Sequence, residues 1–485
     1  MEKPLKVNNS KTKNLKIISF LIVALILLSN ISFGATIKPT SDSVVSDTLV
    51  DYNMQNGGSS GNTIDLPVST NSLSYAVNTR LQENPYNNFE DKLKLHSSSG
   101  ILIDLDVNKI LYEKNAYQKM YPASTTKVLT AILTIEKCDL NAEVLVSYWA
   151  VHSVGNNYSK AKVAAGEILT VNDLLASMMV GSANDSAYVL AQYMANDCSN
   201  TYPSDSSDES KVAFEKSIAS FGNMMTNKAK EIGCINSNFV NPNGMHADNH
   251  YSCAYDLALI GQYAYSKDTI KKIGMLDTFT LPNTDKYTGN ARTESGTNLL
   301  MKQGKATYYE YCTGLKTGYT SSAKSCLIAT AEKGDRRLLC VVLYSDGTDR
   351  EADCKTLFEY GFNKYEYSVL ASKDDVAQTI SMINATSDTR ELNAIVKDDI
   401  KILINKDEDK TIDINPETSI TKRLAPVKKG DVIGKISYTV NGVKYESVLI
   451  AEHDVEVRNY FIYIGIIVGI FFILLIIVII IEKRK

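Results

Sequence analysis

The chain reads as an α+β protein that ends in one membrane-length helix. Three observations point there. From about residue 91 to 365, helix-like and strand-like runs mix within a block large enough for a sizeable core. From 366 to 457 the pattern turns to short strands with turn signals, as in a small separate β domain. From Tyr460 to Ile481 no residue is charged. At 1.5 Å per residue a helix of that length covers about 33 Å, matching a hydrocarbon core of about 30 Å.

Taken in order, the first segment is 1–34. Lys3, Lys6, Lys11, Lys13 and Lys16 precede an apolar run from Ile17 to Leu28, and Ser32-Phe33-Gly34 follows. That is the layout of an export signal cleaved after Gly34. Residues 35–90 are rich in Ser, Asn, Asp and Thr around Gly57-Gly-Ser-Ser-Gly61, the composition of a flexible leader. Order is expected to begin near Gly100, with a strand over Ile101–Leu105, a turn at Val107-Asn108 and a strand over Ile110–Tyr112. Pro122 opens a helix that runs through Leu129, Ile132 and Leu133. Thr170-Val-Asn-Asp173 has capping-box spacing and opens another through Leu174, Leu175, Met178 and Met179.

Further on, strands are expected over Cys326–Thr330 and Leu338–Leu343, then a helix from about Arg350 to Tyr360. Ile400–Ile404 and Val432–Tyr438 read as strands of the β domain, with Asn441-Gly442 as a hairpin turn. Tyr460 and Tyr463 stand where an aromatic belt would, and Glu482-Lys-Arg-Lys485 closes the chain. The positive-inside rule puts residues 482–485 in the cytoplasm and the block from Ala35 to Asn459 outside.

The net charge of −4 comes with no basic stripe, which argues against nucleic acid as a partner. Eight cysteines in an exported chain raise the question of disulfides. Their apolar surroundings instead predict mostly buried thiols. The run at Cys326 and the run at Cys340 would form a hairpin turning at Lys333-Gly334-Asp335, with Cys326 opposite Val341 or Val342. No Cys/His spacing suggests zinc, so neither a metal nor a cofactor is expected.

The chemistry is carried by Ser124-Thr-Thr-Lys127, Ser182-Ala-Asn184 and Lys316-Thr317-Gly318. Alone each is weak: Ser-x-x-Lys recurs at Ser10, Ser159, Ser321 and Ser419. Order and spacing make the signal, with about sixty residues from first to second and roughly 130 from second to third. Residues i and i+3 share a helix face, so Lys127 falls beside the Ser124 hydroxyl. A serine is a poor nucleophile until a base takes its proton. Lysine serves when burial and neighbouring positive charge, here Lys316, lower its pKa. Ser182 is the expected proton relay to the leaving group, and Asn184 the group that holds the lysine and a substrate amide. Lys316 and Thr317, on a strand edge, would bind a carboxylate. Gly318 would permit close backbone approach, and the amides of Ser124 and Tyr319 would form an oxyanion hole. His152, His246, His250 and His453 have no spacing that implies a triad or metal and read as structural or solvated.

The strings Tyr121-Pro-Ala-Ser-Thr-Thr-Lys127, Gly181-Ser-Ala-Asn-Asp185 and Gly314-Leu-Lys-Thr-Gly-Tyr-Thr320 closely resemble those of low-molecular-mass penicillin-binding proteins, within them the D-alanyl-D-alanine carboxypeptidases of the S11 serine peptidase type. Asn241-Pro-Asn-Gly244, His250-Tyr-Ser-Cys-Ala-Tyr-Asp256, Thr297-Asn-Leu-Leu300 and, in the β domain, Pro426-Val-Lys-Lys-Gly-Asp431 extend the likeness. The resemblance implies a penicillin-binding/β-lactamase-like catalytic domain, a sheet flanked by helices. It implies removal of the terminal D-Ala from peptidoglycan stem peptides through an acyl-enzyme on Ser124, and inhibition by β-lactam antibiotics. Ala183 replaces a glycine frequent in the family, a change expected to narrow the site slightly.

Two other readings share parts of this pattern. A class A β-lactamase needs a glutamate with an asparagine four residues on, a spacing that Glu209, Glu215 and Glu231 lack. A catalytically silent penicillin-binding wall protein would show a damaged motif, and all three motifs are intact.

Overall fold

The computed structural model describes residues 81, 93–407, 415–440 and 443–484. The expected export signal and almost all of the polar leader lie outside the described residues, as does the Asn441-Gly442 turn.

The mixed block is built on an antiparallel sheet of β1 (Ser99–Asp104), β2 (Lys109–Lys114), β3 (Cys312–Thr320), β4 (Lys324–Lys333) and β5 (Arg336–Ser345). Their order is β2-β1-β5-β4-β3, which leaves β3 at an edge. Both faces of the sheet are covered, so the central strands read as unbroken apolar runs rather than an alternating pattern. Ile101, Ile103, Ile328, Leu339 and Val341 face one core, shared with α1 (Lys127–Lys137), α2 (Val171–Val180), α3 (Asn184–Ala195), α4 (Asp208–Ile232) and α5 (Ala254–Tyr265). Leu102, Leu327, Ala329, Cys340 and Val342 face the other, shared with Leu357 and Phe358 of α6 (Asp349–Lys364). The sheet flanked by helices is thus present as expected.

Local details follow the sequence closely. The Thr170 side chain accepts from the Asp173 amide, and Asp173 answers at the Thr170 amide, completing the capping box that starts α2. Pro122 opens a 3-10 turn, Ala123–Thr126, before α1 begins at Lys127. The nucleophile candidate therefore sits on a tighter turn than an α-helix start.

The hairpin of β4 and β5 turns where expected, with Lys333 opposite Arg336. Its register near the open end differs from the expectation. Leu327 pairs with Val342 and Ile328 with Val341, while Cys326 falls in an irregularity between the Ser325 and Leu327 pairings. The turn is the reason: with Lys333 paired to Arg336 only Gly334 and Asp335 lie within it, so each β4 residue meets a β5 partner one or two positions further along than a wider turn would give. Cys326 and Cys340 are nonetheless not opposite one another.

Five cysteines are buried free thiols and Cys312 is partly buried; Cys138 at the end of α1 and Cys198 after α3 are joined, Cα to Cα 5.7 Å. Titrating thiols in the denatured protein should therefore give six before reductant and eight after it. A rise of four would contradict this pairing.

Behind the loop at 159–165 lies a buried ion pair. Arg292 donates to both oxygens of Glu167, at 2.9 and 2.6 Å, and both side chains are sealed from solvent. Glu167 also accepts from the Ala164 amide and Thr284. Removing one partner of such a pair strands the other charge. We expect Arg292→Leu to cost about 3–5 kcal/mol in a chemical denaturation curve.

The β domain has its own sheet of Val376–Ser381, Glu391–Val396, Val443–Ala451, Val432–Val440 and Glu417–Ile420, adjacent in that order. It has its own core, including Leu392, Ile433, Ile436 and Leu449. The expected strands at 400 and 432 are Ile400–Asn405 and Val432–Val440. Asp104 ties the catalytic block to this region by accepting from Tyr367 at 2.6 Å, and Arg336 of β5 does so by donating to the Tyr365 carbonyl at 2.7 Å. The last helix, α7 (Tyr460–Lys483), is apolar over 463–481, and no other described residue covers that stretch.

Candidate active site

The three motifs arrive from three elements. The 3-10 turn and α1 carry Ser124 and Lys127, the turn between α2 and α3 carries Ser182, the first residue of α3 is Asn184, and edge strand β3 carries Lys316 to Tyr319. They meet at a cleft whose lining includes Ser124, Ser182, Asn184, Thr317, Gly318 and Tyr319.

Lys127 is the centre of the arrangement. Its Nζ donates to Ser124 Oγ at 2.9 Å, to Asn184 Oδ1 at 2.9 Å and to the Asn243 carbonyl at 2.7 Å. Burial lowers its pKa well below the ordinary lysine value, and the Lys316 charge pushes the same way, with Asp185 opposing. Three acceptors fix the amine beside the hydroxyl, while desolvation makes the neutral base accessible.

Lys316 is fully buried, and burial together with Arg350 lowers its pKa to about 7. Its side chain lines a smaller pocket behind the cleft, with Met179 and Thr297, rather than the cleft wall itself. At the wall stand Thr317, Gly318, Tyr319 and Arg350. Arg350 donates to the Gly318 carbonyl at 3.0 Å and to Glu351 at 2.8 Å.

Backbone geometry is equally specific. A Cβ on Gly318 would lie 2.8 Å from the Ser124 amide nitrogen and 3.0 Å from Ala123 Cβ, so only glycine lets β3 pass the nucleophile turn. Gly244, at φ +79°, touches the other side of that turn; a Cβ there would overlap the Ala123 carbonyl. Ser182 holds a positive φ of 59° without being glycine, a conformation that clusters at functional sites. Ala183 is fully buried and stands outside the cleft wall, so it does not narrow the site as expected.

Several participants were not singled out by role from the sequence. Asn243 contributes a carbonyl, to which sequence reading is nearly blind, and Asn241 fixes that loop by accepting from the Gly244 amide at 2.8 Å. Arg350 carries no sequence signal beyond its place at the start of a helix. Glu294 meets the spacing that Glu209, Glu215 and Glu231 fail, since Asn298 follows four residues on. The geometry removes its force. Asn298 turns away to the Gly314 carbonyl and the Leu300 amide, and Glu294 lies against Gly181 behind the cleft wall. There burial and the Asp185 carboxylate raise its pKa to about 7.

Among the histidines, His250 is buried under the nucleophile turn. Its Nδ1 accepts from the Val240 amide at 3.1 Å and its Nε2 meets Thr126 Oγ1 at 2.9 Å. Burial, helped by the Lys127 charge, depresses its pKa to about 3, so it is a neutral strut. His152, His246 and His453 are partly to well exposed, in keeping with a solvated role.

Comparison with known proteins agrees with this geometry. A family model described as D-alanyl-D-alanine carboxypeptidase matches residues 86–200 and 211–347, and one described as penicillin-binding protein 5, C-terminal domain, matches 365–457. The D-alanyl-D-alanine carboxypeptidase DacF of Bacillus subtilis is 29% identical over 375 residues, 75% of this chain and 87% of its own. A D-alanyl-D-alanine carboxypeptidase of a Streptomyces species is 30% identical over 272 residues, 54% of this chain and 86% of its own. The crystal structure of penicillin-binding protein 5 from Haemophilus influenzae shares the fold, with a TM-score of 0.56 and 24% identity over 75% of this chain and 98% of that one. A buried lysine on a serine hydroxyl, an edge strand passing that serine, and these matches over most of the described chain agree: the chain belongs to the D-alanyl-D-alanine carboxypeptidase family of serine peptidases.

Proposed function

We propose that Ser124 is the nucleophile with which this serine carboxypeptidase removes the terminal D-alanine of peptidoglycan pentapeptides, and that penicillins acylate the same hydroxyl. The carrying observation is the fully buried Lys127 amine 2.9 Å from Ser124 Oγ. Neutral Lys127 takes the hydroxyl proton as Oγ bonds to the carbonyl carbon of the penultimate D-Ala. The oxyanion is held by the amides of Ser124 and Tyr319. The proton then passes by way of Ser182 to the leaving nitrogen, the C–N bond breaks, and free D-alanine departs. Water repeats the attack on the ester, gives up a proton through Lys127, and restores Ser124. Thr317 and Arg350 meet the substrate carboxylate, and Lys316 adds positive charge from behind the strand.

The test is release of D-alanine from a pentapeptide by the full chain beside Ser124→Ala. Loss of a serine peptidase nucleophile costs on the order of 10⁶ in turnover, and penicillin labelling should vanish with it. Labelling that survives in the variant would refute the assignment.

The same arrangement sets a pH profile. Acylation requires Lys127 neutral and Lys316 charged. It should fall on the acid side as Lys127 takes its proton, at a pH well below the ordinary lysine range. It should fall on the alkaline side as Lys316 loses its proton, from about pH 7 upward in the free enzyme. The measurement is the rate of acylation by a chromogenic β-lactam against pH. A profile that keeps rising to the ordinary lysine pKa would contradict it.

For organisation, the reading is an export signal at 1–34, a polar leader at 35–90, a catalytic domain at 91–365 and a β domain at 366–457. The helix at 460–481 spans the cell membrane, with 482–485 in the cytoplasm and the catalytic domain on the wall side. The uncharged length of that helix and the basic residues after it support this. Attachment should survive a high-salt wash of isolated membranes, and a chain ended at Asn459 should be released from them.

A further inference from the structure

The β domain meets α7 at one corner, where three segments lie side by side. Ile383 pairs with Leu424 in a parallel bridge, and Ala385 pairs with Val457 in an antiparallel one. The Ile383 amide donates to the Arg423 carbonyl at 2.8 Å, the Ala425 amide to the Ile383 carbonyl at 3.0 Å, and the Arg458 amide to the Asn384 carbonyl at 2.9 Å. These backbone bonds make a fixed platform rather than a loose linker. Yet the side chains it carries are ill suited to water: Ile383 is 62% exposed, Leu424 58% and Val457 42%. Partners in a bridge stand on the same side of the pair, so Ile383 and Leu424 form one apolar step.

Charge and chain length say what covers this step. Arg423 and Arg458 adjoin it, and Lys422, Lys428 and Lys429 follow within the same segment. Lys422 and Lys428 are paired to Asp431 and Asp454, and Glu456 is the acidic residue beside Val457. Arg458 reaches back over the rings of Tyr460 and Tyr463 at the first turn of α7. Val457 and Tyr460 are three positions apart, and an extended chain spans at most about 3.6 Å per residue. Val457 therefore lies within about 10 Å of the first helical residue, comparable to the depth of a headgroup layer.

We propose that this corner of the β domain, Ile383, Leu424 and Val457 with their arginine rim, inserts into the outer surface of an anionic lipid bilayer and fixes the height and tilt of the catalytic block. The proposal rests on the reading of α7 as a membrane span. The apolar step enters the interface at the headgroup–acyl boundary, while Arg423 and Arg458 meet lipid phosphates. Rigid seating then replaces free swinging about the helix end.

The chain has one tryptophan, Trp149, so a Trp149→Phe background gives a clean reporter. Into it go Leu424→Trp, Ile383→Trp, Val376→Trp or Phe472→Trp, each in the full chain reconstituted in phosphatidylcholine–phosphatidylglycerol vesicles with or without brominated acyl chains. Penicillin labelling checks that each variant is folded. Val376 is an exposed apolar position of the same domain, at the start of the strand whose last residue, Ser381, lies two positions before Ile383; five steps of strand set it on the order of 17 Å from that end. Bromolipid should quench the reporters at 424, 383 and 472 and leave 376 bright. Quenching at 472 but not at 424 and 383 would overturn the insertion while leaving the span intact. Quenching at none would refute the span, and the insertion with it. Quenching at 376 as well would mean a domain lying flat, which also overturns a single inserted corner.

Discussion

Lys127→Arg should lose acylation by about 10²- to 10⁴-fold, the usual worth of a positioned general base, although it replaces one basic side chain with another. The reason lies in what makes Lys127 useful. Its amine is wholly buried and is pushed toward the neutral form first by desolvation and then by Lys316. A guanidinium does not give up its proton under these conditions, so arginine offers Ser124 a donor where a base is needed. The loss should fall on the rate of acylation rather than on non-covalent binding of the β-lactam. Because a larger group is being forced into a sealed space, Lys127→Met belongs beside it, with melting temperatures for both. Met removes the buried amine and should leave a folded protein that still fails to acylate. An arginine variant that acylates at nearly the wild-type rate would remove Lys127 from the base role.

Gly318→Ala should cost about 10²- to 10³-fold in acylation, the size of effect seen when one oxyanion donor is lost. The added methyl would meet the Ser124 amide at 2.8 Å and Ala123 Cβ at 3.0 Å, with the Pro122 carbonyl at 3.1 Å behind them. These are backbone atoms or a methyl on a fixed turn, so β3 and the nucleophile turn must move apart. That shift takes the Ser124 amide away from the Tyr319 amide across the same gap. Overpacking of this kind costs about 1–3 kcal/mol, so the variant should remain folded while its chemistry fails. Unchanged acylation with an unchanged melting temperature would show that the strand relaxes without disturbing the oxyanion site.

The separation of catalytic from structural effects has a counterpart in the Arg292–Glu167 pair. That pair supports the 159–165 loop from behind, where Ser159 accepts from the Asn184 side chain at 3.0 Å. Its loss should appear first in stability and only through the loop in activity.

Much of this protein was legible from residue order alone. Ser124 and Lys127 are three apart and meet because any helical turn brings i and i+3 together, a local fact. The capping box at Thr170 and Asp173, the hairpin turn at Gly334 and the uncharged run at 460–481 are local in the same sense: each depends on neighbours a few residues away. The alternation of Ile101, Leu102 and Ile103 between two cores follows from the period of a strand, once it is known that both faces are covered.

Other features had no such signal. Asn243 serves through its carbonyl, which every residue possesses, and it reaches Lys127 across 116 positions. Arg350 joins the cleft wall because α6 begins beside β3, and Cys138 finds Cys198 across 60 residues because α1 and α3 end together. The tightness of the turn at Gly334 and Asp335 set the partners of the whole hairpin, and Glu294 matched a spacing whose meaning depends on where Asn298 points. Sequence determined the chemistry that was available and the elements that carry it. Tertiary structure decided which carbonyl, which arginine and which glycine stand at the reacting atoms, because those distances arise from packing between elements rather than from periodicity within one.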